Sequence, residues 1–172
     1  YEILRCLVGS EMCIRDSVIT VSDRASAGVY EDKSGPAVTQ ILKEAGYDVV
    51  HTSIVPDEKA QISAELIRCA DEKHCDLIIT SGGTGLSPRD VTPEATRAVC
   101  DRDVPGIAET IRAYSMTKTR RAMLSRAICM QRGHTLVVNF PGSTKAARES
   151  WEAIADQLEH AAQMTAGGGH TN

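Results

Sequence analysis

Aromatic side chains are scarce in this chain, at 3% of 172 residues, and the net charge is only −4. Single-stranded nucleic acids bind on aromatic stacking platforms, and duplexes bind on basic surfaces. The sequence also has no apolar run that is long enough to span a membrane. These absences argue against nucleic-acid and membrane partners. We expect a cytoplasmic protein, and the length of 172 residues fits one domain with an aliphatic core.

Paired cysteines are also missing, because none of the six cysteines belongs to a Cys-x-x-Cys motif. Local pairs of this kind are typical of zinc sites, and disulfide frameworks are typical of shorter secreted chains. We therefore expect reduced thiols and neither a zinc site nor a disulfide framework. The histidines His51 and His134 flank or lie in predicted strands, and we interpret both as structural.

The first sixteen residues match no structural pattern. They do not begin with Met, they have no periodicity, and they lack the basic start of a signal peptide. We predict that residues 1–16 are a non-native or disordered extension, that 17–166 form the domain, and that the glycine-rich residues 167–172 form a flexible tail.

Short β-branched runs alternate with amphipathic segments along the rest of the chain. Such alternation predicts an α/β protein: a single three-layer domain with a mostly parallel sheet and helices on both faces. Residues 120–132 fit either a helix or a loop that leads to a strand. The sequence predicts strands at 17–22, 47–55, 77–80 and 135–140.

A glycine-rich loop, SGGTGLSPRDVTP at 81–93, directly follows the third predicted strand. Three glycines in four positions allow a tight turn and expose backbone N–H groups, which suits phosphate oxygens. The loop lacks the Gly-Lys-Ser/Thr of a Walker motif and is not a dinucleotide fingerprint. An ordinary glycine turn between a strand and a helix is the alternative.

The carboxyl ends of four predicted strands carry polar residues, and in this fold ligands bind at those ends. Three of these ends provide aspartates, and the fourth provides a helix start with a nearby lysine. Carboxylates suit Mg²⁺, whereas helix starts attract anions. Asp23 and Asp57 could also be plain turn or capping residues. The four groups are Ser22–Asp23, Pro56–Asp57, 81–90, and Pro141–Ser143 with Lys145.

Four motifs in this order resemble the molybdopterin adenylyltransferase family of molybdenum cofactor biosynthesis, whose domain also occurs in gephyrin. The motifs are TVSDRASAGVYEDKSGP at 20–36, VPDE at 55–58, SGGTGLSPRDVTPEAT at 81–96 and NFPGSTKA at 139–146. The resemblance extends from residue 18 to the end of the last predicted helix. Two positions depart from the family pattern, because Ser81 replaces a common threonine and Thr144 a common proline.

The resemblance implies a homotrimer that transfers AMP from Mg·ATP to the terminal phosphate of molybdopterin. It implies that Asp57 and Asp90 are the essential carboxylates and bind Mg²⁺ or position substrate. It also raises a molybdenum-inserting enzyme as a partner. The substrate-binding residues that it implies are Ser22, Asp23, Ser81, Gly82, Gly83, Thr84, Gly85, Pro141, Gly142, Ser143 and Lys145.

Three alternatives stay open at this stage. Within the family, the chain could be an inactive module that binds molybdopterin or a partner protein. It could also be a scaffold domain, as in the fused eukaryotic forms, or an enzyme for another sugar or nucleotide phosphate. Retention of both Asp57 and Asp90 favours the active enzyme.

Overall fold

A computed structural model describes residues 13–167, and these form one mixed sheet that is flanked by helices. Residues 1–12 and 168–172, which include most of the predicted extension and tail, lie outside the described part. The strands are β1 (Arg15–Val21), β2 (Asp48–Val55), β3 (Leu77–Ser81), β4 (Arg102–Asp103), β5 (Cys129–Arg132) and β6 (Thr135–Phe140).

The strand order is β2-β1-β3-β6-β5-β4. Neighbours among the first four strands pair in parallel, whereas β5 pairs antiparallel with both β6 and β4. The mostly parallel sheet that the sequence predicts is therefore confirmed. The strand order reverses between the central strands β1 and β3, because β2 lies on one side of this pair and β6, β5 and β4 lie on the other. Ligands in such sheets bind at the carboxyl ends of the strands where the order reverses.

In the described part of the chain, six α-helices connect and cover the strands. A π-helical turn at Arg68–Glu72 extends the third helix, and a 3₁₀ turn occupies Arg120–Leu124. The helices are α1 (Asp23–Ser26), α2 (Ser34–Glu44), α3 (Lys59–Ile67), α4 (Thr92–Val99), α5 (Pro105–Met116) and α6 (Thr144–Thr165).

Each face of the sheet has its own aliphatic core. Helices α2, α5 and α6 cover one face, where the buried Leu42, Ile111 and Ile154 meet strand residues such as Val138. Helices α3 and α4 cover the other face. Strands that are buried on both faces are continuous apolar runs, as in β3 and β6, which explains why the sequence predicts them well.

The first strand begins at Arg15, two residues before the start that the sequence predicts. Ile14 is also buried in the core beneath α2 and α6. Cys13 is disulfide-bonded, so the expectation of reduced thiols is wrong for this residue, although four other cysteines are free thiols. The domain thus includes several residues that the sequence assigns to the extension.

Three local elements differ from the sequence-based expectations. The polar segment after β1, for which the sequence predicts no helix, contains the short helix α1, and Ser22 caps it by accepting a hydrogen bond from the backbone N–H of Ala25. The undecided segment 120–132 is a 3₁₀ turn followed by β5. The two-residue strand β4 was not predicted, since such a short edge strand has no periodic pattern.

Candidate functional site

A cleft of about 430 Å³ opens where β1, β2, β3 and β6 end. Its walls come from the segments that follow those strands and from the start of α2. The lining residues are Thr20, Val21, Ser22, Ala25, Tyr30, Asp32, Lys33, Ser34, Asp57, Ser81, Gly82, Gly83, Asp90, Gly142, Ser143 and Thr144. The polar strand ends in the sequence therefore meet at one place.

The glycine-rich loop needs its glycines at the floor of the cleft. Gly82 has a φ of +109°, and a Cβ atom there would lie 2.3 Å from the carbonyl oxygen of Val21. Gly83 has a φ of +67°, and its Cβ would lie 2.2 Å from the hydroxyl of Thr92. L-amino acids rarely adopt these dihedrals, and neither position has space for a side chain. The loop is thus a bare backbone surface beside the cleft.

Thr92 and Arg126 hold this loop in shape. The Thr92 hydroxyl donates to the carbonyl of Gly82 (2.9 Å), and the backbone N–H of Thr92 donates to Gly83 (3.1 Å). Arg126 donates from its side chain to the carbonyls of Gly85 (2.8 Å) and Asp90 (2.6 Å) and also pairs with Glu94. A planar guanidinium can donate to several acceptors at once, so this one side chain connects Gly85 to Asp90 within the loop.

A second network joins the ends of β1 and β2. The backbone N–H of Asp23 donates to Asp57 Oδ2 (2.8 Å), and the backbone N–H of Asp57 donates to Asp23 Oδ1 (3.0 Å). Arg89 binds the Asp23 carboxylate with two nitrogens, at 3.0 and 2.9 Å, and pairs with Glu58. This arginine lowers the pKa of Asp23, so Asp23 is a charged structural anchor.

Asp57 and Asp90 line the cleft, as does Asp32 at the start of α2. Burial raises the pKa of Asp57, and the negative charges of Asp23 and Asp90 raise it further. Asp57 Oδ2 and Asp90 Oδ2 each accept one backbone N–H, whereas Oδ1 of each accepts none from residues 13–167. Two close carboxylates with free oxygens fit a hard cation such as Mg²⁺, which would relieve their repulsion.

The start of α6 forms another part of the cleft wall. Ser143 caps this 22-residue helix by accepting a hydrogen bond from the backbone N–H of Ala146 (3.2 Å). The preceding Gly142 packs directly on Gly82, since a Cβ at Gly142 would lie 3.3 Å from the Gly82 Cα. A helix start brings unpaired N–H groups and partial positive charge to the cleft, opposite the carboxylates.

Eight of the residues that the sequence predicts line the cleft: Ser22, Asp57, Ser81, Gly82, Gly83, Asp90, Gly142 and Ser143. The other five lie outside its lining. Asp23 binds Arg89, Thr84 is buried, Gly85 accepts from Arg126, Pro141 accepts from Ser81, and Lys145 extends outward with an 88% exposed side chain. Of the three carboxylates that the sequence predicts to face the cleft, Asp57 and Asp90 line it and Asp23 does not, whereas the lining residue Asp32 was not predicted.

Several residues of the site were missed by the sequence analysis. Asp32 accepts hydrogen bonds from the Thr20 hydroxyl (2.7 Å) and from the backbone N–H of Gly35 (3.1 Å), which fixes the start of α2 against β1. Lys33 brings an ammonium to the cleft that forms no ion pair within the described residues. Arg126 has no local motif, since its partners are 32–41 positions away. Only the spatial arrangement reveals its role.

Comparisons with known proteins agree with this architecture. The family model described as a probable molybdopterin binding domain matches residues 17–160. The molybdopterin adenylyltransferase of Helicobacter pylori strain J99 is 41% identical over 156 residues, which cover 90% of this chain and 89% of the relative. The Escherichia coli K12 protein of the same name is 41% identical over 145 residues, which cover 83% and 74%.

Solved structures are also similar. The molybdopterin biosynthesis enzyme MoaB of Thermus thermophilus superposes with a TM-score of 0.85 and 45% identity, covering 90% of this chain and 97% of that one. A structure of MogA gives a TM-score of 0.82 and 40% identity, covering 88% and 99%. On the fold, the cleft and these matches, the chain belongs to the family of molybdopterin-binding domains of molybdenum cofactor biosynthesis.

Proposed function

We propose that this protein is a molybdopterin adenylyltransferase that uses its cleft to join molybdopterin and ATP. The terminal phosphate oxygen of molybdopterin forms a bond to the α-phosphorus of ATP. The bond from that phosphorus to the bridging oxygen of the β-phosphate breaks, and pyrophosphate leaves. Relatives named for this activity cover most of the chain.

One observation supports this proposal: the exposed backbone of the glycine loop, the start of α6 and the carboxylates of Asp57 and Asp90 all lie in the same cleft. The nucleophile comes with the substrate, so the protein must position two polyanions and offset their charge. The loop at Gly82–Gly83 and the start of α6 provide N–H groups for phosphate oxygens. Lys33, which also lines the cleft, adds a positive charge.

Asp57 and Asp90 are the residues that would hold Mg²⁺ through their free Oδ1 atoms. Mg²⁺ supplies charge neutralisation of the phosphates, and its other ligands in such sites are substrate oxygens and water. The chain's own contribution is orientation: the backbone N–H of Asp23 fixes one carboxylate and the backbone N–H of Ser87 fixes the other (3.0 Å).

A homotrimer in the cytoplasm is part of this proposal. Three exposed apolar side chains, Leu86, Met123 and Leu124, lie in or near the segments that Arg126 ties together. Exposed apolar groups of this size favour contact with another subunit. Among residues 13–167, no helix is long and apolar enough to cross a membrane. A molybdenum-inserting enzyme would be the partner that takes the adenylylated product.

The test is release of pyrophosphate from Mg·ATP, measured with and without molybdopterin. We expect molybdopterin-dependent release by the unmodified chain and a loss of at least about 100-fold in Asp57→Asn and Asp90→Asn, since each amide keeps the shape of the carboxylate but not its charge. The exposed α6 variant Asp156→Asn is the matched control, and its activity should be unchanged.

Binding of molybdopterin is measured on the same variants by calorimetry. If the unmodified chain binds molybdopterin but releases no pyrophosphate, the protein is a binding module of the same family and the proposed activity is wrong. Equal loss of activity in the Asp156→Asn control would also contradict the assigned roles of the two cleft carboxylates.

A further inference from the structure

Outside the cleft, three different metal-binding side chains meet between β2 and the end of α3. His51 lies in β2, Glu65 in α3, and Cys69 in the π-helical turn that extends α3. We propose that His51, Glu65 and Cys69 form a binding site for a divalent metal ion of the zinc class.

The donor atoms are already close to the geometry that zinc needs. His51 Nε2 lies 2.7 Å from Glu65 Oε1, and the same oxygen lies 3.9 Å from Cys69 Sγ. All three donor atoms lie within 4.8 Å of one another. Tetrahedral zinc holds such ligands about 3.4–3.7 Å apart, so changes of no more than about 1.4 Å in the distances between donor atoms would admit the ion. Three protein ligands leave a fourth position for water.

The backbone explains why these residues meet. Glu65 and Cys69 are four residues apart, which places both side chains on one face of a helix. That face packs on the sheet, where His51 projects from the edge strand β2. Cys69 is completely buried, whereas the side chains of His51 and Glu65 are 17% and 12% exposed. A metal ion therefore has a route in from the surface past the histidine.

Two hydroxyl groups lie close enough to the cluster to support a bound metal ion. The Ser17 hydroxyl donates to the carbonyl oxygen of His51 (3.2 Å) and lies 3.2 Å from Cys69 Sγ, so it would donate to a metal-bound thiolate by turning from that carbonyl. The Ser53 hydroxyl is buried near Glu65 but has no hydrogen-bond partner of good geometry among residues 13–167. Buried hydroxyls without a partner are uncommon, and a metal-bound water would satisfy this one.

An ordinary ion pair between His51 and Glu65 is the simpler alternative. It would account for the 2.7 Å contact but would give the Cys69 thiol no function. The mixed set of nitrogen, oxygen and sulfur donors favours zinc over Mg²⁺ or Ca²⁺, which take oxygen ligands. This site is thus chemically distinct from the proposed Mg²⁺ site of the cleft. Sequence spacing did not reveal it, because His51 is 18 residues away from Cys69.

Cobalt(II) is the probe, because a thiolate ligand gives it a charge-transfer band in the near ultraviolet. The chelator-treated full chain is titrated with CoCl₂ and then with ZnCl₂, which should displace the cobalt at a 1:1 ratio. Binding releases one proton from the Cys69 thiol, so the affinity should rise with pH. We expect Cys69→Ser to abolish the charge-transfer band and His51→Ala to weaken binding at least about 100-fold.

Cys100→Ser is the matched control, since Cys100 is a free, half-buried thiol outside the cluster. It should keep both the band and the 1:1 zinc binding. His51→Ala changes a partly exposed side chain, so it tests the site even if Cys69→Ser does not fold. The proposal is overturned if the unmodified chain gives no thiolate band, or if the band depends on Cys100 rather than on Cys69.

Discussion

Asp23 and Asp57 exchange hydrogen bonds, each backbone N–H donating to the carboxylate of the other residue, at 2.8 and 3.0 Å. This reciprocal pair couples the end of β1 to the end of β2 across 34 residues of sequence. It leaves Asp57 Oδ1 free for the cleft while Oδ2 is held. The orientation of the proposed catalytic carboxylate therefore depends on a neighbour whose own carboxylate does not line the cleft.

Replacing Asp23 with alanine removes the acceptor for the Asp57 N–H and leaves Arg89 paired with Glu58 only. We expect kcat/KM for the adenylyl transfer to fall at least about 10-fold, because small misplacements of a positioning group are costly. Asp23→Asn keeps an acceptor oxygen and should retain more activity than Asp23→Ala. Equal activity of the two variants and of the unmodified chain in the pyrophosphate assay would show that the pair is not needed.

The pH dependence of activity should report the charge around Asp57. Burial raises the pKa of this carboxyl, whereas the positive charge of Arg89 lowers it. In Arg89→Gln that lowering effect is lost, so the pKa rises further and the carboxylate form needed for catalysis appears only at higher pH. We expect the acidic limb of the profile of kcat/KM against pH to move upward.

Arg97→Gln is the control for that experiment. Arg97 is 56% exposed and Arg89 is 53% exposed, and each pairs with a surface aspartate, but Arg97 pairs with Asp103 away from the cleft. The acidic limb should stay in place in this variant. If the acidic limb of the pH profile moves in both variants, the shift reflects the net charge of the protein. If the acidic limb moves to lower pH in Arg89→Gln, the assignment to Asp57 is wrong.

Arg126 should matter for activity although it does not line the cleft. Arg126→Lys loses the fork that reaches the carbonyls of Gly85 and Asp90, since an ammonium cannot bridge both. We expect a rise in KM for Mg·ATP of about 10-fold or more and a loss of roughly 1–3 kcal/mol in the free energy of unfolding. The exposed 3₁₀-turn variant Arg121→Lys should change neither quantity.

What the sequence could predict, and what it could not, follows from the range of the interactions involved. The buried strand β3 and the loop at Gly82–Gly83 have local signals, namely an apolar run and glycines that must follow it. The Asp23–Arg89 and Arg126–Gly85 contacts join segments 66 and 41 positions apart. No local pattern encodes such pairs, so only the family resemblance or the fold could bring them together.

The short helix α1 illustrates the same limit on a smaller scale. Four residues are too few to show a helical period, and the segment contains no buried residue. Its start depends on the Ser22 hydroxyl, which is a common capping group but is also common in turns. Local sequence therefore does not distinguish this helix from a turn, although Ser22 does line the cleft.

Gly83 in the glycine-rich loop and Gly28 after α1 allow a matched comparison of two substitutions. Gly28 and Gly83 have φ values of +71° and +67°, but a Cβ would meet open space at Gly28 and the buried Thr92 hydroxyl at Gly83. Gly28→Ala should cost only the left-handed backbone penalty, about 1 kcal/mol. Gly83→Ala adds a clash that Thr92 cannot avoid without losing its hydrogen bond to Gly82.

We therefore expect Gly83→Ala to lower the free energy of unfolding by about 3 kcal/mol, measured by urea denaturation at constant pH. Its adenylyl transfer activity should also fall, because the loop backbone has to shift. Gly28→Ala should keep the activity of the unmodified chain. If the two substitutions cost the same free energy, contact with Thr92 does not constrain the loop.

Asp16 is completely buried in β1, and neither of its carboxylate oxygens has a hydrogen-bond partner among residues 13–167. Burial, followed by the charges of Asp76 and Asp48, raises its pKa to about 9. The folded protein therefore keeps this carboxyl protonated, whereas the unfolded chain ionises it above its ordinary pKa of 3.8. Ionisation thus favours the unfolded state as the pH rises from about 4 toward 9.

Asp16→Val should remove this penalty and also suit a buried strand position. Each pH unit above the ordinary pKa costs about 1.4 kcal/mol, so the variant should gain several kcal/mol at neutral pH and much less at pH 4. Urea unfolding at a series of pH values, with Asp156→Asn as the exposed control, measures the difference. A gain that is the same at every pH would mean that better packing, and not the loss of a buried ionisable group, stabilises the variant.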